Sequence, residues 1–126
     1  MLEKTVYVPT LAVRPSEMNG LEYLPGATKD RMTPCFLLAP WANSNSLDRT
    51  ITRLERAFPN RPYFLDIDRD YELTNTESPA QQDLMRLKDP ADCFAGWVAF
   101  DERHTNIWPC VQTRDQSEDQ IRSQIQ

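Results

Sequence analysis

The stretch "YFLDID", residues 63–68, is the part of the chain on which the fold turns. Side chains of an extended segment alternate between two faces, so Tyr63, Leu65 and Ile67 form one row and Phe64, Asp66 and Asp68 the other. Both rows are apolar until the aspartates, as in a strand of a parallel sheet, where helices return the chain to the next strand. The segment before it fits that demand. Ser46 can cap a helix in which Leu47, Ile51, Leu54 and Phe58 recur at helical spacing, and Pro59 closes it. Upstream, "CFLLAPW" (35–41) is a second apolar run of strand length.

Working outward, "TVYVPTLAVR" (5–14) reads as a first strand, with Pro9 at a point where one backbone donor is not needed. "PSEMNGLEYL" follows as a helix opened by Pro15 and Ser16, and "ATKDRM" as a further helical turn before Pro34. After residue 70, an insertion of about 71–104 holds two predicted helices, each opened by a capping residue and a proline: Ser78-Pro79 and Asp89-Pro90. The second places Phe94, Trp97, Val98 and Phe100 on one side. "NIWPCVQT" (106–113) is the fourth strand, and "DQSEDQIRSQIQ" starts a polar helix in which the sequence stops, so residues beyond Gln126 are one expectation. The whole of 1–126 reads as a single α/β domain of four parallel strands with crossover helices. A doubly wound sheet and half of a (βα)8 barrel both fit this order.

Composition narrows the function classes. Fourteen basic and nineteen acidic residues give an acidic chain of net charge −5, with no basic cluster, so direct nucleic-acid binding is not expected. Apolar runs are too short for a membrane span and the N-terminus lacks the layout of a signal peptide, which points to a cytoplasmic protein. Cys35, Cys93 and Cys110 share no paired spacing and read as small buried hydrophobes rather than disulfide partners or zinc ligands. There is one histidine, His104, and no glycine-rich phosphate loop.

Binding residues of parallel α/β folds lie beyond the carboxyl ends of the strands. The alternation puts Arg14, Trp41, Asp66, Asp68 and Gln112 there, on the rows facing away from the helices, as candidate ligand-binding residues. Asp66 and Asp68 lie about 6–7 Å apart at Cα on one side of a strand. Such a pair can hold Mg²⁺ through water or share a proton. The plainer reading of the same residues is an ion pair of Arg14 with Asp66. Trp41 and Trp108 can stack on a planar ligand or serve as core.

"YVPTLAVRPSEMNGLEYL", the proline before the second strand, "YFLDID", and the Trp97–Phe100 helix leading into "NIWPCVQT" together resemble the "beta protein" family of bacteriophages, prophages and bacteria. The resemblance spans nearly the whole chain. It implies a barrel-like fold of which this chain matches the N-terminal half, that is, a half TIM-like (βα)8 barrel. At the end of the second strand, where the family carries an acidic residue, Ala39-Pro40-Trp41 stands here.

A half barrel has two exposed sheet edges and an open inner face, features that invite pairing with another chain. The expected function is therefore that of a phage- or prophage-type protein that binds another protein or itself, in phage–host conflict, with no cofactor. The alternative is a metal-assisted phosphoester hydrolase with Mg²⁺ near Asp66 and Asp68 and Arg14 clamping a phosphate.

Overall fold

A computed structural model describes residues 7–75 and 77–125. Its elements alternate as expected: β1 (Thr10–Ala12), α1 (Pro15–Glu22), α2 (Gly26–Lys29), β2 (Cys35–Leu38), α3 (Leu47–Ala57), β3 (Tyr63–Ile67), α4 (Pro79–Leu87), α5 (Ala91–Glu102), β4 (Ile107–Pro109) and α6 (Glu118–Ile125). The four strands form one sheet in the order β1-β2-β3-β4, and all three pairings are parallel. Thr5 and Val6 of the expected first strand, and Gln126 of the last helix, lie outside the described residues.

The alternation rule assigns the faces correctly. Phe36, Leu38, Tyr63, Leu65 and Ile67 are buried and meet the helices, while Cys35, Leu37, Phe64, Asp66 and Trp108 are half-buried on the opposite face. In register, Thr10, Cys35, Phe64 and Trp108 lie side by side across that open face, and Ala12, Leu37 and Asp66 form the next level. On the helix side Leu47, Ile51, Leu54 and Phe58 of the α3 segment enter the core with Met18 and Leu21 of α1. Ser46 caps α3 by accepting the Asp48 N–H at 3.1 Å.

The strands are shorter than the apolar runs that encode them. β2 ends at Leu38 because Pro40 has no N–H to extend the ladder and the chain turns outward, with the Trp41 N–H donating to Thr50 Oγ1 (2.9 Å) and that hydroxyl donating to Ala39 O (2.8 Å). α6 opens with a reciprocal capping box: Ser117 Oγ accepts the Gln120 N–H (3.2 Å) and Gln120 Oε1 accepts the Ser117 N–H (2.7 Å).

Two expected helix starts differ. Ser78 precedes α4 without a side-chain capping bond. Asp89 accepts the Ala91 N–H (2.9 Å), but Asp92, Cys93 and Phe94 then have φ of 53, 57 and 58°, a left-handed turn from which the right-handed part of α5 departs. That turn carries Phe94 into the core at 1% exposure despite the steric cost of φ > 0 for a side-chain-bearing residue. Among the described residues no helix is long and apolar enough to cross a membrane.

Candidate functional site

At the carboxyl ends of the strands, three side chains named or bracketed by the sequence pattern form a relay. Gln112, 4% exposed, donates from Nε2 to Asp66 Oδ1 (2.8 Å) and to Cys110 O (3.1 Å), and its Oε1 accepts from the Arg69 guanidinium (2.8 Å). The amide is thus oriented by an acceptor on one side and a cation on the other. α6 locks its backbone: Gln124 Oε1 accepts the Gln112 N–H (2.9 Å) while Gln124 Nε2 donates to Gln112 O (2.6 Å). Arg69 also lies over the Phe94 ring, 5.7 Å from its centroid. A shallow cavity of about 330 Å³ lined by Asp66, Arg69, Val111, Gln112, Thr113 and Arg114 opens beside the relay. Its one carboxylate and two guanidiniums suit an anionic or amide-bearing group.

Asp68 shares a row with Asp66 in sequence but serves a different end. It is 5% exposed, and its Oδ1 accepts the Asp70 N–H (3.1 Å), closing the turn after β3. Its charge acts on Lys88, whose pKa is lowered by burial first and by Arg69 second, with Asp68 opposing both. Asp66 accepts a further N–H from Ile67 (2.8 Å). Arg14 is exposed, and among the described residues no ion pair joins it to Asp66.

Trp41 stands apart from the relay. Beyond the turn at Pro40 it meets Arg53, whose guanidinium lies 5.6 Å from the ring centroid and also binds Glu22 (2.9 Å) and Asn19 (2.9 Å) of α1. Glu22 is in turn held below the usual carboxylate range, chiefly by the hydrogen bond from Arg56. Trp41 borders a polar cleft of about 580 Å³ between the loops after β2 and β3, with Asn43, Asn45, Tyr71, Asn75 and Gln81. The site residues brought together are therefore Asp66 and Gln112, whereas Arg14, Trp41 and Asp68 have other neighbours. Arg69 was not anticipated. Its signal is the single basic position inside "DIDRD", one residue past the strand row.

On the open face itself, the Cys110 thiol lowers the Cys35 pKa from the ordinary thiol value, while Cys35 and burial raise that of Cys110. Cys35, Cys93 and Cys110 are all free and half-buried rather than the buried hydrophobes that spacing suggested.

Comparison with known proteins follows the same residues. The sequence profile of the family described as "Beta protein" matches residues 7–126. "Protein beta" of Enterobacteria phage P4 is 30% identical over 113 residues, which cover 90% of this chain and 30% of that protein. The chain thus spans about 30% of the length of the curated relative it matches. No solved structure matches it. With a profile match running from the first described residue to the last position of the sequence, the chain belongs to the beta protein family of phages, the family its strands and first helix resemble.

Proposed function

We propose that the chain is half of a TIM-like (βα)8 barrel that acts by binding another protein through its open sheet face, the occupant being a second copy of the chain, and that this binding serves phage–host conflict. The single observation that carries the reading is the open face of the sheet, where Leu37, Phe64 and Trp108 stand half-buried on the side opposite the helices.

Strand order supports the same reading. Sequential parallel strands joined by crossovers of one hand place every helix on one face. The other face offers Leu37, Phe64 and Trp108, with the Phe64 and Trp108 rings edge to face at 5.4 Å, beside Asp66. A two-fold axis along the barrel would set β4 of one copy beside β1 of the other, parallel, and close both edges at once. The greater length of the phage P4 relative leaves room for further units within one polypeptide.

The hydrolase alternative draws no support from this geometry. Asp66 is engaged by Gln112 and by the Ile67 N–H, Asp68 closes a turn, and among the described residues no three His, Cys, Asp or Glu side chains gather as a metal cage.

Sedimentation equilibrium tests the proposal. The 126-residue chain is expected to dimerise at micromolar concentration, and Leu37→Arg or Trp108→Arg to weaken association at least roughly tenfold while preserving the far-UV spectrum. A wild-type chain that stays monomeric at about 100 μM, or folded variants that associate as tightly as it does, would overturn the reading.

A further inference from the structure

Past the carboxyl ends of β3 and β4, the buried Gln112 amide lies between charges of opposite sign. Its Nε2 donates to Asp66 Oδ1 (2.8 Å) and its Oε1 accepts from Arg69 Nη2 (2.8 Å). Among the described residues no ion pair joins Asp66 to Arg69 or to Arg114, so the carboxylate and the guanidiniums stand farther apart than direct partners do. Arg69 is held at one edge by Gln112 and against its face by Phe94, which positions it before any ligand arrives.

Both poles keep unused bonding capacity that opens to water. Asp66 Oδ1 accepts from Gln112 and from the Ile67 N–H, but Oδ2 accepts nothing among the described residues, and Nε and Nη1 of Arg69 donate to nothing there. The buried side-chain atoms that lack a partner belong instead to Asp101, His104 and Gln116. The unused atoms of half-buried Asp66 and Arg69 therefore reach solvent. Both residues line the shallow cavity of about 330 Å³ that Arg114, exposed and outside every ion pair among the described residues, also borders.

A simple anion in this cavity would gain from the guanidiniums and be repelled by Asp66, and a simple cation would meet the reverse. A ligand that carries both charges gains at both ends. Gln112 marks the alignment, with its donor toward Asp66 and its acceptor toward Arg69. We propose that the cavity binds a zwitterionic α-amino acid, its ammonium on Asp66 Oδ2 and its carboxylate against Arg69 and Arg114. The ammonium sits on the carbon next to the carboxylate, so the molecule repeats the order of the Gln112 amide with full charges, and guanidinium suits the carboxylate end. Val111, 40% exposed, and Thr113 border the room left for a small side chain. The inference does not depend on the open-face reading, since every lining residue belongs to one chain.

Two-dimensional ¹H–¹⁵N NMR of the full chain, following the Gln112 side-chain amide at pH 7 and low salt, tests it. The titrants are L-alanine and its two single-charge counterparts, propionate and ethylammonium. L-alanine is expected to bind at least roughly tenfold more tightly than either. Asp66→Asn keeps an acceptor for Gln112 Nε2 and should reduce L-alanine to the affinity of propionate, whereas Arg69→Gln should weaken L-alanine and propionate alike. The inference is overturned if L-alanine up to roughly 100 mM leaves the Gln112 amide unshifted, if propionate or ethylammonium binds as tightly, or if Asp66→Asn keeps the full preference for L-alanine. The wild-type comparison of the three titrants stands even if both variants fail to fold.

Discussion

Asp101 and Gln112 show how much a single buried polar group decides. In the unfolded chain Asp101 loses its proton near pH 3.8, and in the folded chain near pH 8. Between those values the folded state holds the additional proton, so stability is full at the acid end and falls as pH rises toward 8. Asp101→Asn removes that fall. Its stability relative to wild type is expected to grow by the order of 2–4 kcal/mol between pH 5 and pH 9, read from urea midpoints at each pH. A difference that stays constant with pH would mean that Asp101 ionises normally. Gln112 is the opposite case, a buried amide whose bonds to Asp66, Cys110 O and Arg69 are all made. Gln112→Leu should cost about 1–3 kcal/mol with an unchanged dependence on urea, because it strands the partners while keeping the volume. Neither role is legible in the sequence. Gln112 could be placed at a strand end by alternation, but Asp101 hides in an apolar helix row that announces only a core.

Between helices, closeness of backbones sets what a position tolerates. Gly96 in α5 faces α4 so tightly that an added Cβ would sit 3.0 Å from the Arg86 carbonyl oxygen, whereas a Cβ on Gly20 in α1 meets nothing within 4 Å. Gly20→Ala is therefore expected to stabilise by about 0.5–1 kcal/mol, through helix propensity and a less flexible unfolded chain. Gly96→Ala should instead destabilise by about 1–2 kcal/mol, since backbone must shift to admit the methyl group. Thermal melts of the two variants side by side check the contrast, and a gain for Gly96→Ala would show that α4 yields easily. The existence and order of these elements were legible from capping residues and apolar spacing, most clearly in α3. Their ends were less so: Pro40 cuts β2 short and removes Trp41 from the row that alternation gave it. The left-handed turn at Asp92–Phe94 has little sequence signal, because Cys93 and Phe94, unlike Asp92, are not residues that favour φ > 0 at low cost, and the packing of Phe94 prevails over local preference.

Across the whole molecule, alternation and a strand–helix rhythm sufficed for a parallel sheet, but not for which residues of separate strands act on one another. The mutual effect of Cys35 and Cys110 on each other's pKa depends on the register of three strands at once, and spacing along the chain carries no trace of it. One property of the sheet has a bearing on how the protein is made. Each strand pairs only with its immediate predecessor and successor in the chain, so no strand must wait for a later one to be inserted between earlier partners. On a ribosome, β1 and β2 can join as soon as Leu38 clears the exit tunnel, and β3 adds to a finished edge before the long excursion through α4 and α5 has fully emerged. Synthesis and assembly therefore advance in the same direction, one strand at a time, with the newest edge always the one awaiting its neighbour.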